Sequence, residues 1–289
     1  MAAAQIKLKP QHAPKAPHQD PVFLESTAAR PIRILAEYLH PLVQLKNEGI
    51  GDTIVMFGSA RIESRETAQA RLARLQKKSA SKLPKAQRSQ YRAALREAKD
   101  TLEMSRYYEE ARELSHRITS WALTLGPRPR RFVICSGGGP GIMEAANRGA
   151  TEAGGKSIGL SIELPHEQFA NAYISPELSL NFHYFFMRKL WFAQIAKALI
   201  VFPGGFGTMD ELWEMLTLLQ TGKLPKHNLI LIYGRKYWDE VLNFRAMVRW
   251  GMINQEEYDL LQFADTVDDA FTRVREGLEK YHMVLDSDL

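Results

Sequence analysis

Ala198-Leu199-Ile200-Val201-Phe202 (ALIVF) runs directly into Pro203-Gly204-Gly205 and then into the helical pattern Met209–Thr221. A continuous apolar run this short, closed by a proline–glycine turn and followed by a helix, reads as a strand buried on both faces. The same grammar recurs upstream. Thr53 to Phe57 (TIVMF) ends in Gly58-Ser59-Ala60, and Arg131 to Ser136 (RFVICS) ends in Gly137-Gly138-Gly139 ahead of the helix Ile142–Ala153. Further strands are expected at Ser157–Ile162, Leu178–Tyr184 and Asn228–Tyr233, and helices at Met187–Lys197, Tyr237–Trp250 and Val267–Tyr281. Strands alternating with helices imply an α/β fold, a parallel sheet with helices on both faces.

Two segments exceed that frame. Residues 23–48 carry Ile32, Ile34, Leu35, Tyr38, Leu39, Leu42, Val43 and Leu45 at helical spacing and predict an N-terminal helix stopped by Gly49 and Gly51. Before it, residues 1–22 contain Pro10, Pro14, Pro17 and Pro21 among polar residues, the composition of a flexible arm. Residues 62–105 read as a basic helical insert, broken into two pieces by Pro84. Within it, residues 65–99 hold 11 Lys+Arg against 2 Asp+Glu. A separate crossover helix is expected at Tyr107–Leu125. Residues 23–289 are expected to make one domain.

Charge follows this division. The 289 residues total 38 Lys+Arg and 33 Asp+Glu, a net +5. Residues 61–131 hold 18 and 8, a balance of +10, which leaves −5 for the rest. The basic excess therefore sits in one appendage, and that appendage has little aromatic content apart from Tyr91. A solvated face or an oligomer contact suits it better than a nucleic-acid interface. The single cysteine, Cys135, excludes an intrachain disulfide and a multi-cysteine zinc site, and its apolar setting suits a small buried side chain rather than a nucleophile. The proline-rich start lacks the apolar run of a secretory signal, and no stretch has the roughly 20 apolar residues of a membrane span. A cytoplasmic protein is expected.

Three strand ends carry small residues: Gly58–Ala60, Gly137–Gly141 and Pro203–Thr208. Glycine lets backbone approach a ligand, and the amides of the following helix N-terminus favour an anion. Two such turns suggest a phosphate-bearing ligand, although either alone also suits plain strand–helix packing. Gly137–Ile142 fails the G-x-G-x-x-G dinucleotide pattern at Ile142, while Glu163 keeps the spacing of a ribose-binding acid; no P-loop is present. In the later turn, Thr208 and Glu211 have the spacing of a capping box, and equally place a hydroxyl and an acid at the first helical turn beside a phosphate site.

Cys135–Glu144, Met187-Arg188-Lys189 and Pro203–Glu211 together resemble the LOG ("lonely guy") family, cytokinin riboside 5′-monophosphate phosphoribohydrolases once labelled putative lysine decarboxylases. The resemblance runs from about Thr53 to Phe263, apart from the basic segment. It implies a Rossmann-like doubly wound parallel sheet, a homodimer or larger homo-oligomer, and hydrolysis of a nucleoside 5′-monophosphate, AMP or an N6-modified AMP, to free base and ribose 5-phosphate. It matches Arg188 and Glu211 to the catalytic pair, and Gly204, Gly205, Gly207 and Thr208 to the phosphate site. Ser59, Gly137, Gly138, Gly139, Gly141, Met143 and Lys189 fall in other parts of the nucleotide-binding set. No metal or cofactor is implied. The alternative is a non-catalytic carrier or sensor using the same pocket. A pyridoxal-phosphate decarboxylase would need a Schiff-base lysine, for which Lys189 is the nearby candidate. The base-contacting positions are not set by these motifs.

Overall fold

A computed structural model describes residues 15–77, 84–164 and 170–283; most of the proposed arm, residues 1–14, lies outside the described residues. The elements run in order α1 (Pro21–Glu25), α2 (Arg30–Asn47), β1 (Thr53–Phe57), α3 (Arg65–Gln76), α4 (Lys85–Leu123), β2 (Val133–Ser136), α5 (Ile142–Glu152), β3 (Ser157–Ile162), β4 (Ser179–Phe182), α6 (Phe185–Ile195), β5 (Ala196–Val201) and α7 (Phe206–Gln220). They continue with β6 (Leu229–Tyr233), α8 (Arg235–Val241), α9 (Phe244–Arg249), α10 (Gln255–Tyr258), β7 (Leu261–Ala264) and α11 (Val267–Leu278).

All seven strands are parallel, in the order β4-β3-β2-β1-β5-β6-β7. The order reverses between β1 and β5. This is the doubly wound arrangement, and its switch point opens a crevice beyond the carboxyl ends of those two strands. Strand alternation divides the interior. Val55, Phe57, Leu199, Val201, Ile230 and Ile232 face a core closed by α2, α6, α7 and α8, with Trp191, Phe192, Leu212 and Trp238 as its large members. Ile54, Met56, Ala198, Ile200, Leu231 and Tyr233 face the opposite core under α4, α5 and α11. Both strand faces are covered, which is why the runs read as uniformly apolar.

Several boundaries differ from expectation. The helix expected over 23–48 is two: Asp20 caps α1, Ser26 is extended, a 3₁₀ turn follows at Thr27–Ala29, and α2 starts at Arg30. The Arg33 guanidinium donates to the carbonyls of Leu24 and Ser26 and holds that break in place. The helix expected at Tyr237–Trp250 is also two, because Leu242 is extended and Asn243 caps α9 through its side chain. Asparagine competes in this way for backbone donors. β7 has no sequence signal: four residues interrupted by Gln262 carry no period, and pairing to β6 makes them a strand.

The basic segment changes most. α3 ends at Gln76 and Pro84 is the N-cap of α4, but the second helix does not stop at residue 105. α4 runs without a break from Lys85 to Leu123, and no glycine or proline interrupts it. Its distal half is the crossover, burying Tyr107, Tyr108, Ala111, Leu114 and Ile118 against the sheet. Its proximal half carries the basic residues and packs on α3, where the Tyr91 hydroxyl donates to the Leu75 carbonyl. Among the described residues no helix is long and apolar enough to cross a membrane.

Candidate active site

A cavity of about 810 Å³ opens at the switch point. The ends of β1, β2, β3 and β5 converge on it, with the start of α7 on one side and α4 on the other. Of the residues singled out from sequence, Ser59, Gly137, Gly138, Gly139, Met143, Arg188, Gly204, Gly205, Gly207 and Thr208 line it. Gly141, Lys189 and Glu211 do not. Phe185, Tyr237, Arg61 and Ser161 also line it; none belongs to a glycine turn, and only the fold brings them there.

The β2–α5 turn is braced from inside. The Gly138 amide donates to Ser136 Oγ at 3.0 Å, and that hydroxyl donates to Asn147 Oδ1 at 2.7 Å. The Asn171 side-chain amide donates to the carbonyls of Gly138 and Gly139, both at 3.1 Å. Gly138 and Gly141 have φ of 73° and 70°, the left-handed region that glycine tolerates. A Cβ at Gly141 would drive into the carbonyl oxygen of Ser59. This turn therefore positions Ser59 as much as it lines the cavity.

The β5–α7 turn is built differently. Gly205, not Thr208, is the N-cap of α7, and its cap carries no side-chain hydrogen bond. Thr208 sits at the third helical position, so the capping box does not form, and Glu211 falls in the second turn rather than the first. The backbone ladder of α7 begins with the Met209 amide donating to the Gly205 carbonyl, which leaves the amides of Phe206, Gly207 and Thr208 as the free donors of a helix start. A Cβ at Gly204 would collide with the Thr208 hydroxyl, whereas at Gly205 and Gly207 it would meet no protein atom within 4 Å. Tyr237 steadies the turn, its hydroxyl donating to the Gly204 carbonyl at 2.9 Å.

Behind this turn lies an ion pair. Arg188 Nη2 donates to Glu211 Oε1 at 3.2 Å. The Glu211 side chain is only 3% exposed and that of Arg188 13%. The guanidinium stands over the rings of Phe185 and Phe192, 5.3 and 5.7 Å from their centroids, and its Nε is buried without a partner. Burial pushes the Glu211 carboxyl up to about 7 against the opposing pull of Arg188 and Lys189. Burial also lowers Arg188, against Glu211. A carboxyl poised near neutrality can hold or release a proton in the working pH range. Arg188 reaches the cavity wall, and Glu211 sits behind it.

The remaining candidates are placed elsewhere. Lys189 turns to Asp210 and Glu214, 2.9 Å from each. Burial lowers its pKa, yet its hydrogen bonds to those acids win and raise it, so the ammonium form is held and a Schiff-base role is disfavoured. Glu163 pairs with His183 at 3.0 Å and does not line the cavity. Cys135 is fully buried in β2, and burial raises its thiol pKa. Of the aromatic stretch, Phe182 and Tyr184 are buried while Phe185 and Phe186 are about half exposed. Among the described residues, no three His, Cys, Asp or Glu side chains converge as a metal site would require.

Comparison with known proteins agrees with the sequence resemblance. Residues 143–274 match the family model described as "Possible lysine decarboxylase". The cytokinin riboside 5′-monophosphate phosphoribohydrolase LOG of Oryza sativa subsp. japonica is 25% identical over 182 residues, covering 62% of this chain and 70% of that protein. The corresponding LOG3 of Arabidopsis thaliana is 25% identical over 176 residues, 60% of this chain and 76% of that one. Among solved structures, the Moco carrier protein from Chlamydomonas reinhardtii aligns with a TM-score of 0.42 at 18% identity, over 79% of this chain and 98% of that one.

Proposed function

On the premise that this chain resembles the LOG phosphoribohydrolases, we propose that it hydrolyses the N-glycosidic bond of a nucleoside 5′-monophosphate, AMP or an N6-modified AMP, releasing the base and ribose 5-phosphate. The observation that carries this is the buried Arg188–Glu211 pair, with its carboxyl near neutrality, set beside an uncapped helix N-terminus. The 5′-phosphate would take the amides of Phe206, Gly207 and Thr208 and the Thr208 hydroxyl, where the helix dipole favours an anion. The open space over Gly205 and Gly207 admits it.

Breaking the C1′–N bond leaves the electron pair on the base and positive charge on the ribose. Ionised Glu211 stabilises that charge and accepts a proton from the attacking water, whose oxygen bonds C1′. The departing base takes up a proton from solvent, and Glu211 returns the one it accepted when the products leave. Arg188 covers Glu211, so productive binding requires its guanidinium to swing toward the substrate. There it can fix the phosphate or a ribose hydroxyl with several donors. Holding the phosphate orients the reacting centre.

The test is base release from a panel of nucleoside monophosphates by wild type and Glu211→Gln in parallel. Release by wild type that is lost in the variant supports hydrolysis. Tight AMP binding without release by wild type supports the carrier or sensor function instead, which the position of Glu211 behind Arg188 also accommodates.

Assembly as a homo-oligomer belongs to the same proposal. It is supported by a row of exposed apolar side chains on α2, Ile32, Leu35, Leu39, Leu42 and Val43, and by exposed Phe186 and Leu190 on α6. An apolar surface of this kind marks an interaction site. Sedimentation of wild type against Leu35→Glu/Leu39→Glu tests it: dissociation to monomer is expected.

A further inference from the structure

The cavity has a wall that no glycine turn supplies. Glu97, Asp100, Thr101 and Met104 line it from α4, a helix that lies wholly outside the matched residues 143–274. These four occupy one face at spacings of three and four residues, the geometry of a single helical stripe. Glu97 is held in place, since Arg71 of α3 donates to its Oε1 at 2.8 Å. The Asp100 carboxylate makes no hydrogen bond or ion pair among the described residues. The basic segment thus presents its acids, not its arginines, to the cavity, with Arg61 as the neighbouring cation in the lining.

We infer that α4 is the base-selecting wall of this site, with Asp100 and the Arg71-braced Glu97 reading hydrogen-bond donors on the leaving base. The inference rests on the hydrolase proposal for the nucleotide's orientation. The phosphate is assigned to the uncapped α7 start, so the opposite end of the ligand meets α4 across the cavity. An ionised carboxylate only accepts hydrogen bonds. It therefore favours bases bearing an exocyclic amino group at the reading edge and disfavours those bearing an oxo group there, whose lone pairs face its own. Met104, packed against the core beneath, supplies apolar contact for the ring.

The experiment compares two matched pairs, AMP with IMP and CMP with UMP, on wild type and on the double variant Glu97→Gln/Asp100→Asn. Both positions lie on an exposed helix face, and cooperative thermal unfolding checks that the variant is folded. In kcat/KM, wild type is expected to prefer the amino member of each pair by about tenfold or more, the discrimination of one charge-assisted hydrogen bond. The double variant is expected to erase most of that preference while still releasing base from AMP. An amino/oxo ratio that moves less than about threefold in the variant overturns the assignment. If wild type cleaves no monophosphate, the hydrolase proposal falls. Calorimetric Kd ratios for the same pairs then decide the role of α4 alone: a ratio that collapses in the variant upholds it, and an unchanged ratio or no binding overturns it.

Discussion

The two glycine turns look alike in sequence and are built against different things. At Gly137–Gly141 the protein itself demands glycine: two positions have positive φ, the Gly138 amide and the Gly138 and Gly139 carbonyls are occupied by Ser136 and Asn171, and a Cβ at Gly141 would strike the Ser59 backbone. At Gly204–Gly207 only Gly204 is demanded, by Thr208. Gly205 and Gly207 face open space, and the adjacent amides are uncommitted. A glycine that its own protein does not require is a better pointer to a ligand than one wedged into a turn. The first turn shapes the cavity; the second leaves open donors facing it, with the Arg188–Glu211 pair behind them.

That contrast can be broken experimentally, and the largest effect is expected at Glu211. Glu211→Gln keeps a hydrogen-bond acceptor for Arg188 and removes the base, so base release should fall by roughly 10³-fold, within the span of general-base deletions. A variant retaining more than a tenth of wild-type activity would move the chemistry elsewhere. Next is Gly141→Ala, which meets both a positive φ and a backbone oxygen. It should destabilise by about 3 kcal/mol or more, read as a lowered denaturant midpoint, with activity lost only as folding is lost. Arg188→Lys retains charge and loses the planar fork. About a 10²-fold loss in kcat/KM is expected in steady-state assays, with folding unchanged.

The pH profile comes next. Because the Glu211 carboxyl is pushed up to about 7, it is protonated below that pH, and the ionised form is the one that acts. The rate should rise with pH through about 7 and then level, and the limb should vanish in whatever activity Glu211→Gln retains. A wild-type profile flat from pH 5 to 8 would contradict this role. The smallest effect is the most discriminating. Gly207→Ala lies inside α7 with nothing to strike, so it should stabilise the fold by about 0.5–1 kcal/mol. It should nonetheless raise KM for a monophosphate, by about tenfold if the methyl enters the phosphate space. If Gly207→Ala binds substrate normally, the second turn is no more open to a ligand than the first.

The sequence carried the doubly wound fold because its signals are local. A buried strand must be apolar throughout, and a tight strand–helix turn needs glycine, so TIVMF-GSA, RFVICS-GGG and ALIVF-PGG can each be read without knowing the rest. The motif residues near those turns were legible for the same reason. Three things were not, and each is set by contacts distant in sequence. β7 exists because β6 offers it an edge. The basic stretch joins the crossover in one 39-residue helix because the sheet anchors its distal half, and this turns an apparent appendage into a cavity wall. The Glu211 carboxyl is pushed up to about 7 because packing between α6 and α7 excludes water from it more strongly than Arg188 and Lys189 pull it back, and desolvation is a property of the packed interior rather than of residue order. By itself the sequence determined six of the seven strands, the glycine turns and which candidate groups lie near them. Tertiary structure decided which of those groups share a cavity, which glycines are left open to it, and what protonation state its buried acid can hold.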